Sequence, residues 1–202
     1  IAFLDHDDVW FRNKLEKQLE AAARHPDAGF VCCNFAVRPP GLHGKMVKHY
    51  SRLRSLRDFD FKRPLMKDTL RMLLCENFVG TSTVVLVKKE ITKKAGLFDS
   101  RLRISADYNY WLHCSLWTDF VVLEDVLLYK RTHRTNISGN APRTAAEHVQ
   151  VLETFMDKHL AGLTQRGLLK HCQLERARSM YALGDLQYNH GKKGEAFGLF
   201  FR

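Results

Sequence analysis

The chain has 202 residues, 45% of them hydrophobic, and a formal net charge of +10. That length and apolar content suit one substantial domain with a small appendage and exclude disorder throughout. The positive charge admits nucleic acid, an anionic membrane surface or an anionic substrate as partner, but no recognisable nucleic-acid module accompanies it, so no nucleic acid is expected.

Ile1 to Leu4 is a short apolar run that reads as a buried strand, and it ends in Asp5-His6-Asp7-Asp8. If the extended geometry persists through Asp7, Asp5 and Asp7 point to one side and His6 to the other. Val9 to Arg24 reads as an amphipathic helix. Its apolar face is Trp10, Leu15, Leu19 and Ala22 or Ala23, with Lys14, Glu16, Lys17 and Glu20 on other faces. Gly29 to Val37 reads as a buried strand, broken by Pro39-Pro40-Gly41, and a basic, poorly patterned stretch follows to Lys62. Pro64 is expected to open a helix over Leu65 to Cys75. Thr81 to Val87 is a β-rich run, Lys88 to Lys94 a short helix, and Ser105 a cap for a helix reaching Leu116. Phe120 to Tyr129 supplies further strand, with a turn expected near Glu124-Asp125. Strands alternating with helices argue for an α/β sheet flanked by helices.

From Pro142 the pattern is helix only. Ala145 to Leu160 presents Val149, Leu152, Phe155 and Met156 on one face, and Gly167 to Tyr188 holds another helix. Ala182-Leu183-Gly184-Asp185-Leu186 followed by Gly191-Lys192-Lys193-Gly194-Glu195-Ala196-Phe197 resembles a tetratricopeptide helix pair. A plain helical cap is the simpler reading, since such repeats need about three copies for stability. The expected division is a domain over 1–140 and a helical extension over 141–202. Five cysteines (Cys32, Cys33, Cys75, Cys114, Cys172) form no CxxC and mostly sit in apolar runs, which reads as reduced thiols in the cytoplasm. No apolar run approaches the roughly 18 residues of a membrane span. Dense positive charge from Arg38 to Arg71 leaves peripheral contact with the inner face of an anionic membrane open, beside a plain solvated basic face.

Three pieces carry chemistry. In Asp5-His6-Asp7-Asp8, carboxylates crowd together, which is costly unless a cation neutralises them or one takes a proton. Hard oxygen ligands suit Mg²⁺ or Mn²⁺, and Mg²⁺ commonly joins one or two carboxylates to substrate phosphates. Asp8 could equally cap the following helix. Asp107, in Ser105-Ala106-Asp107-Tyr108, falls in the predicted first turn of a helix, where the macrodipole stabilises an aspartate. Work as a general base would need something further to position it. Tyr129-Lys130-Arg131-Thr132-His133-Arg134 leaves a strand end with basic groups suited to a diphosphate, and His133 is a candidate metal ligand.

The order of these pieces resembles the family 2 glycosyltransferases of the GT-A fold. "IAFLDHDDVW" resembles that family's metal-binding strand end, with His6 in place of a small residue. "KLEKQLEAAARHPDAGFVCCNF" matches the helix and strand that follow. "ENFVGTSTVVLVKKEITKKAGLFDSRLRISADYNYWLHC" resembles the segment ending in the family's Glu-Asp-Tyr-Asp-Leu-Trp motif, and "DVLLYKRTHRTNIS" its closing strand and Arg-x-His loop. The resemblance covers Ile1 to Ser138. It implies a partial GT-A mixed sheet and inverting, metal-dependent transfer of a sugar from a nucleotide diphosphate, such as a UDP-sugar, to a glycan or lipid-linked acceptor. Asp5 and Asp7 would hold Mg²⁺ or Mn²⁺, with Asp7 the more direct ligand, and Asp107 would be the base. Arg131 and His133 would contact the phosphates or the metal. Thr81 and Ser82 would line the sugar pocket or simply pack, and Tyr108 and Trp111 would be core or wall residues. The family's Glu before the base is Ala106 here, and its later Asp is Asn109. The strand-helix units with which the family binds base and ribose are not among these 202 residues, so the segment is expected to hold a metal and diphosphate with little to grip a nucleoside.

Two other classes fit parts of the sequence. A non-catalytic helical interaction module on a degenerate α/β domain would explain Ala106 and the helical tail. A Mg²⁺-dependent phosphohydrolase would explain the aspartates, but no nucleophile beside Asp5 or phosphate-binding lysine motif accompanies them.

Overall fold

A computed structural model describes residues 1–37, 46–132 and 139–200. By compactness the chain falls into two units, Ile1–Phe98 with Tyr110–Arg134, and Asp99–Asn109 with Thr135–Arg202.

The first unit is built on a mixed six-stranded sheet. Its strands are β1 (Val9–Trp10), β2 (Phe30–Val37), β3 (Val47–Lys48), β4 (Leu65–Met66), β5 (Val85–Val87) and β6 (Phe120–Lys130). The helices of the chain are α1 (Lys14–Arg24), α2 (Thr69–Cys75), α3 (Lys89–Ala95), α4 (Ala106–Cys114), α5 (Ala141–Gln165), α6 (Leu169–Asn189) and α7 (Lys193–Phe200). This is the α/β architecture expected of a partial GT-A fold, with helices alone at the C-terminal end.

β2 and β6 run parallel along their whole length, from Phe30↔Phe120 to Val37↔Lys130. The other pairings are antiparallel: β5 and β3 on β2, β4 and β1 on β6. A strand covered on both faces must be apolar at successive positions, and all but the last residue of β2 are buried. Phe30 stacks on Phe120 at 3.7 Å between ring centroids, and Trp111 of α4 meets Phe30 edge-on at 5.2 Å. All three rings are fully buried and form the aromatic heart of the unit.

Several expectations are corrected. Ile1 to Leu4 is not a buried strand. It reaches β5 through one bridge, Ala2↔Leu86, with the Ile1 amino group donating to the Val87 carbonyl, while Ile1 and Leu4 stay exposed. The expected helix from Val9 begins only at Lys14, because Val9 and Trp10 pair with Tyr129 and Leu128. Asn13, not Asp8, precedes its first turn. Pro64 opens a strand: Leu65 and Met66 pair with β6 first, and α2 starts at Thr69. The run Thr81 to Val87 is strand only from Val85, after a single 3-10 turn over Ser82–Val84. The turn expected at Glu124-Asp125 is a bulge within one continuous strand. Cys33 faces Leu123 and Asn34 faces Val126, so Glu124 and Asp125 are extruded.

The face of α1 is reversed from its apolar periodicity. Lys14, Gln18 and Ala21 are buried, whereas Leu15 and Leu19 are exposed. The reason is a polar graft. Gln18 Nε2 donates to the carbonyls of Val84 (2.7 Å) and Val31 (3.3 Å), and its Oε1 accepts from Lys14 Nζ at 2.6 Å. The ammonium also lies 4.3 Å from the Trp10 ring centroid, and burial lowers its pKa against the opposing influence of Cys33. Ala21 and Ala22 complete the contact on Val31 and Val121.

In the second unit, α5 and α6 bury Val151, Leu152, Phe155, Leu163, Cys172, Met180 and Leu183. Arg176 of α6 pairs with Glu153 of α5 at 2.7 Å. Asn140 caps α5, its Oδ1 accepting from the Arg143 N–H, with Pro142 in the first turn. Among the described residues no helix is long and apolar enough to cross a membrane.

The Gln18 graft makes a specific prediction. Gln18→Ala strips a partner from the Val84 carbonyl and from the Lys14 ammonium, and should cost about 1–3 kcal/mol. Leu19→Ala, one residue on, should stay within about 0.5 kcal/mol. Urea denaturation of the two variants compares them directly.

Candidate functional site

The chain between β5's flank and β1 is a tight turn, with the Asp8 N–H donating to the Asp5 carbonyl at 3.1 Å. Extended geometry therefore does not persist through Asp7, and the simple alternation of Asp5, His6 and Asp7 gives way to a folded cluster. The Asp5 carboxylate is fixed from the segment leading into β5. Ser82 Oγ donates to Oδ1 at 2.8 Å and Thr81 Oγ1 to Oδ2 at 3.3 Å, while the Asp5 N–H donates to Thr83 Oγ1 at 3.1 Å. The Trp10 indole N–H closes the turn on the Thr83 carbonyl at 3.3 Å.

Gly80 makes that arrangement possible. Its φ of +78° is a left-handed conformation, and a Cβ there would lie 2.6 Å from His49 Nε2. His49 itself is packed on Phe35 at 4.4 Å, and burial pushes its pKa down to about 4, so it stays neutral.

Asp8 is the electrostatic centre of the turn. Burial raises its carboxyl above the ordinary aspartate value. A hydrogen bond with the Thr83 side chain and the charge of Lys130 oppose that, and the carboxylates of Asp5 and Asp7 add to it. Asp8 Oδ2 is buried without a hydrogen-bond partner. Lys130, the last residue of β6, is thus brought to the acidic turn. Arg131 follows it in the chain, and His133 lies outside the described residues. Among the described residues no group of three or more His, Cys, Asp or Glu side chains is disposed as a metal cage.

Residues 1–96 match the family model for glycosyl transferase family 2. An uncharacterized glycosyltransferase of Rickettsia prowazekii (strain Madrid E) is 21% identical over 159 residues, covering 78% of this chain and 47% of its own length. One from Rickettsia typhi (strain ATCC VR-144 / Wilmington) is 23% identical over the same span and shares. The chain thus spans about half the length of the curated relatives it matches.

Within this family 2 segment the acidic turn and its hydroxyl supports are both contained, since Asp5 to Asp8 and Thr81 to Thr83 fall inside residues 1–96. The hydroxyls of Thr81 and Ser82 donate to the Asp5 carboxylate and orient it. Trp111 and Tyr108 are buried.

Asp107 belongs to the second unit, in the first turn of α4, where the Tyr108 N–H donates to its Oδ1 at 2.6 Å. The residues around it are gripped by α5. The Glu147 carboxylate accepts from the N–H groups of Arg103, Ile104 and Ser105, and the His148 ring stacks on Tyr108 at 4.4 Å and 18°. Lys130 lies in the basic strand end that the sequence marked, whereas Thr83 and Glu147 were not singled out by the sequence. The hydroxyl run beside Gly80 is a signal for Thr83. For Glu147 the only signal is an acidic residue inside an otherwise apolar helix face.

Burial holds His148 neutral, with its pKa pushed down to about 4. The unfolded chain binds a proton near pH 6.5 and the folded one does not, so stability should fall as pH drops from about 6.5 to about 4. The loss should amount to at most about 3 kcal/mol. His148→Phe keeps the stack on Tyr108 and removes the titration. Its urea midpoint, compared with wild type at pH 7 and pH 4.5, should show the smaller decline.

Proposed function

We propose that this segment is the metal and diphosphate corner, with the general base, of an inverting glycosyltransferase. The enzyme would move a sugar from a nucleotide diphosphate donor to a hydroxyl of a glycan or lipid-linked acceptor. The observation that carries the reading is the Asp5–Asp8 turn inside the family 2 segment: one carboxylate anchored by two hydroxyls, another with a buried oxygen lacking a partner.

A hydroxyl-anchored Asp5 cannot swing away, so the turn keeps its negative charge concentrated. The mutual repulsion of Asp5, Asp7 and Asp8 and the orphaned Asp8 oxygen suit a cation. Among the described residues no three side chains form a metal cage, and the mode that suits the turn is the one in which Mg²⁺ or Mn²⁺ joins one or two carboxylates to substrate phosphates. Asp7 is the direct ligand in this reading, and Asp5 and His133 are further candidates. The metal would stabilise charge on the departing diphosphate. Lys130 and Arg131, at the carboxyl end of β6, supply positive charge for the same phosphates.

Asp107 would accept the acceptor's hydroxyl proton as that oxygen bonds to the anomeric carbon and the bond from that carbon to the diphosphate breaks. Its place in a helix first turn favours the ionised form needed to receive a proton. The basic surface and acceptor chemistry leave peripheral membrane contact as part of the same proposal.

Two substitutions in the full-length protein separate the roles. Asp7→Asn should weaken Mn²⁺-dependent binding of UDP in calorimetry by about tenfold or more. Affinity equal to wild type would remove the metal assignment. Asp107→Asn should lower sugar-transfer turnover by about 10²-fold or more while leaving that binding intact. Normal turnover would remove the base assignment. An absence of transfer by the wild-type protein with any nucleotide sugar would favour the non-catalytic module instead.

A further inference from the structure

We propose that Glu147 is a positioning residue that sets the Asp107 turn, and that α5 thereby serves the active site as well as the helical unit. The inference rests on the reading of Asp107 as the base. Glu147 is 7% exposed and spends one carboxylate oxygen on three successive backbone donors. Oε2 accepts from the N–H groups of Arg103 (3.0 Å), Ile104 (2.7 Å) and Ser105 (3.1 Å). Oε1 accepts from Arg143 Nε at 3.1 Å, one helical turn back along α5. Both oxygens are therefore engaged within the protein.

Three consecutive N–H groups can converge on one acceptor only if the backbone curls around it, so the carboxylate dictates the path of residues 103–105. That path ends at Ser105, whose carbonyl accepts from the Asn109 N–H as α4 begins. Asp107 follows two residues later and cannot be aimed independently of it. The neighbouring His148 adds a second grip, its ring flat against Tyr108.

The charge state agrees with this geometry. Burial acts to raise the Glu147 carboxyl, and the donors from Ile104, Ser105, Arg143 and Arg103 outweigh it, so the group stays below the ordinary glutamate range. A full negative charge is held ahead of the positive end of α4, where it is favourable. The side chain lies 40 residues beyond Asp107 in sequence and touches no position assigned to substrate. Its role is orientation of another group.

The test is a variant series in the full-length enzyme, read by steady-state kinetics and by amide hydrogen exchange. Glu147→Ala should speed exchange at Ile104 and Ser105 and lower kcat by on the order of 10- to 100-fold, with the donor KM within about twofold. Glu147→Gln, which keeps an acceptor oxygen, should recover much of the rate; Glu147→Asp, one carbon shorter, should recover less. If Glu147→Ala does not fold, the Gln and Asp variants carry the comparison. In an Asp107→Asn background, Glu147→Ala should cause no further loss of turnover, because its effect passes through the aspartate. Wild-type kcat in Glu147→Ala beside an inactive Asp107→Asn overturns the positioning role alone. Wild-type kcat in Asp107→Asn overturns the base reading on which it rests.

Discussion

The parallel pairing of β2 with β6 is the constraint on which the rest of the first unit depends. Parallel strands cannot be joined by a hairpin, so the chain between Val37 and Phe120 has to leave the sheet and return. On the way it lays β5 along the lower half of β2 and β4 along the lower half of β6. The segment before α1 is then strung between two fixed points, Ala2 beside Leu86 and Val9 beside Tyr129. Six residues between anchored ends leave little slack, and the Asp5–Asp8 turn is the form they take. Its carboxylates are concentrated by the sheet's connectivity before any ligand is considered.

The sheet's irregularities serve the same end. If β2 and β6 paired residue for residue from Phe30↔Phe120, Val37 would face Leu127. The bulges advance β6 by three residues, so Val37 faces Lys130 instead. The extruded Asp125 is not wasted, since it pairs with Lys17 on the exposed side of α1. Gln18 on the inner side ties the same helix to Val31 and Val84, the latter adjoining Thr83. The hydroxyls that orient Asp5 thus hang from a backbone held by a buried glutamine. A buried lysine-glutamine pair is an expensive way to seat a helix, because each polar atom must find a partner in the interior. The network satisfies them with a carbonyl, an amide and an aromatic face.

What the sequence made legible follows from where the information was local. GFVCCNFAV reads as a buried strand because both faces are covered and no polar alternation competes. The acidic turn reads as a site because four polar residues interrupt an apolar context. The face of α1 was misread because Leu15 and Leu19 have the right period, and nothing within the helix reveals that Gln18 has carbonyls waiting 13 and 66 residues away. Glu124-Asp125 looked like a turn because polar pairs break strands, yet a bulge extrudes two polar side chains without ending the ladder. Thr81 and Ser82 looked like strand residues because threonine favours strands; their hydrogen bonds to Asp5 span more than 70 positions and leave no local trace.

The two carboxylates for which roles are proposed are supported in opposite ways, and the contrast suits those proposed roles. Asp5 is held by neutral hydroxyls, which orient a carboxylate without cancelling its charge, as a cation site requires. The Asp107 turn is held through backbone N–H groups, three gathered by the Glu147 carboxylate and that of Tyr108 donating to Asp107 Oδ1. In the motif that the sequence resembles, an acidic residue stands just before the proposed base, and here that position is Ala106. An alanine cannot steer its neighbour, so the aim of Asp107 has to come from elsewhere in the fold, and Glu147 on α5 is placed to supply it.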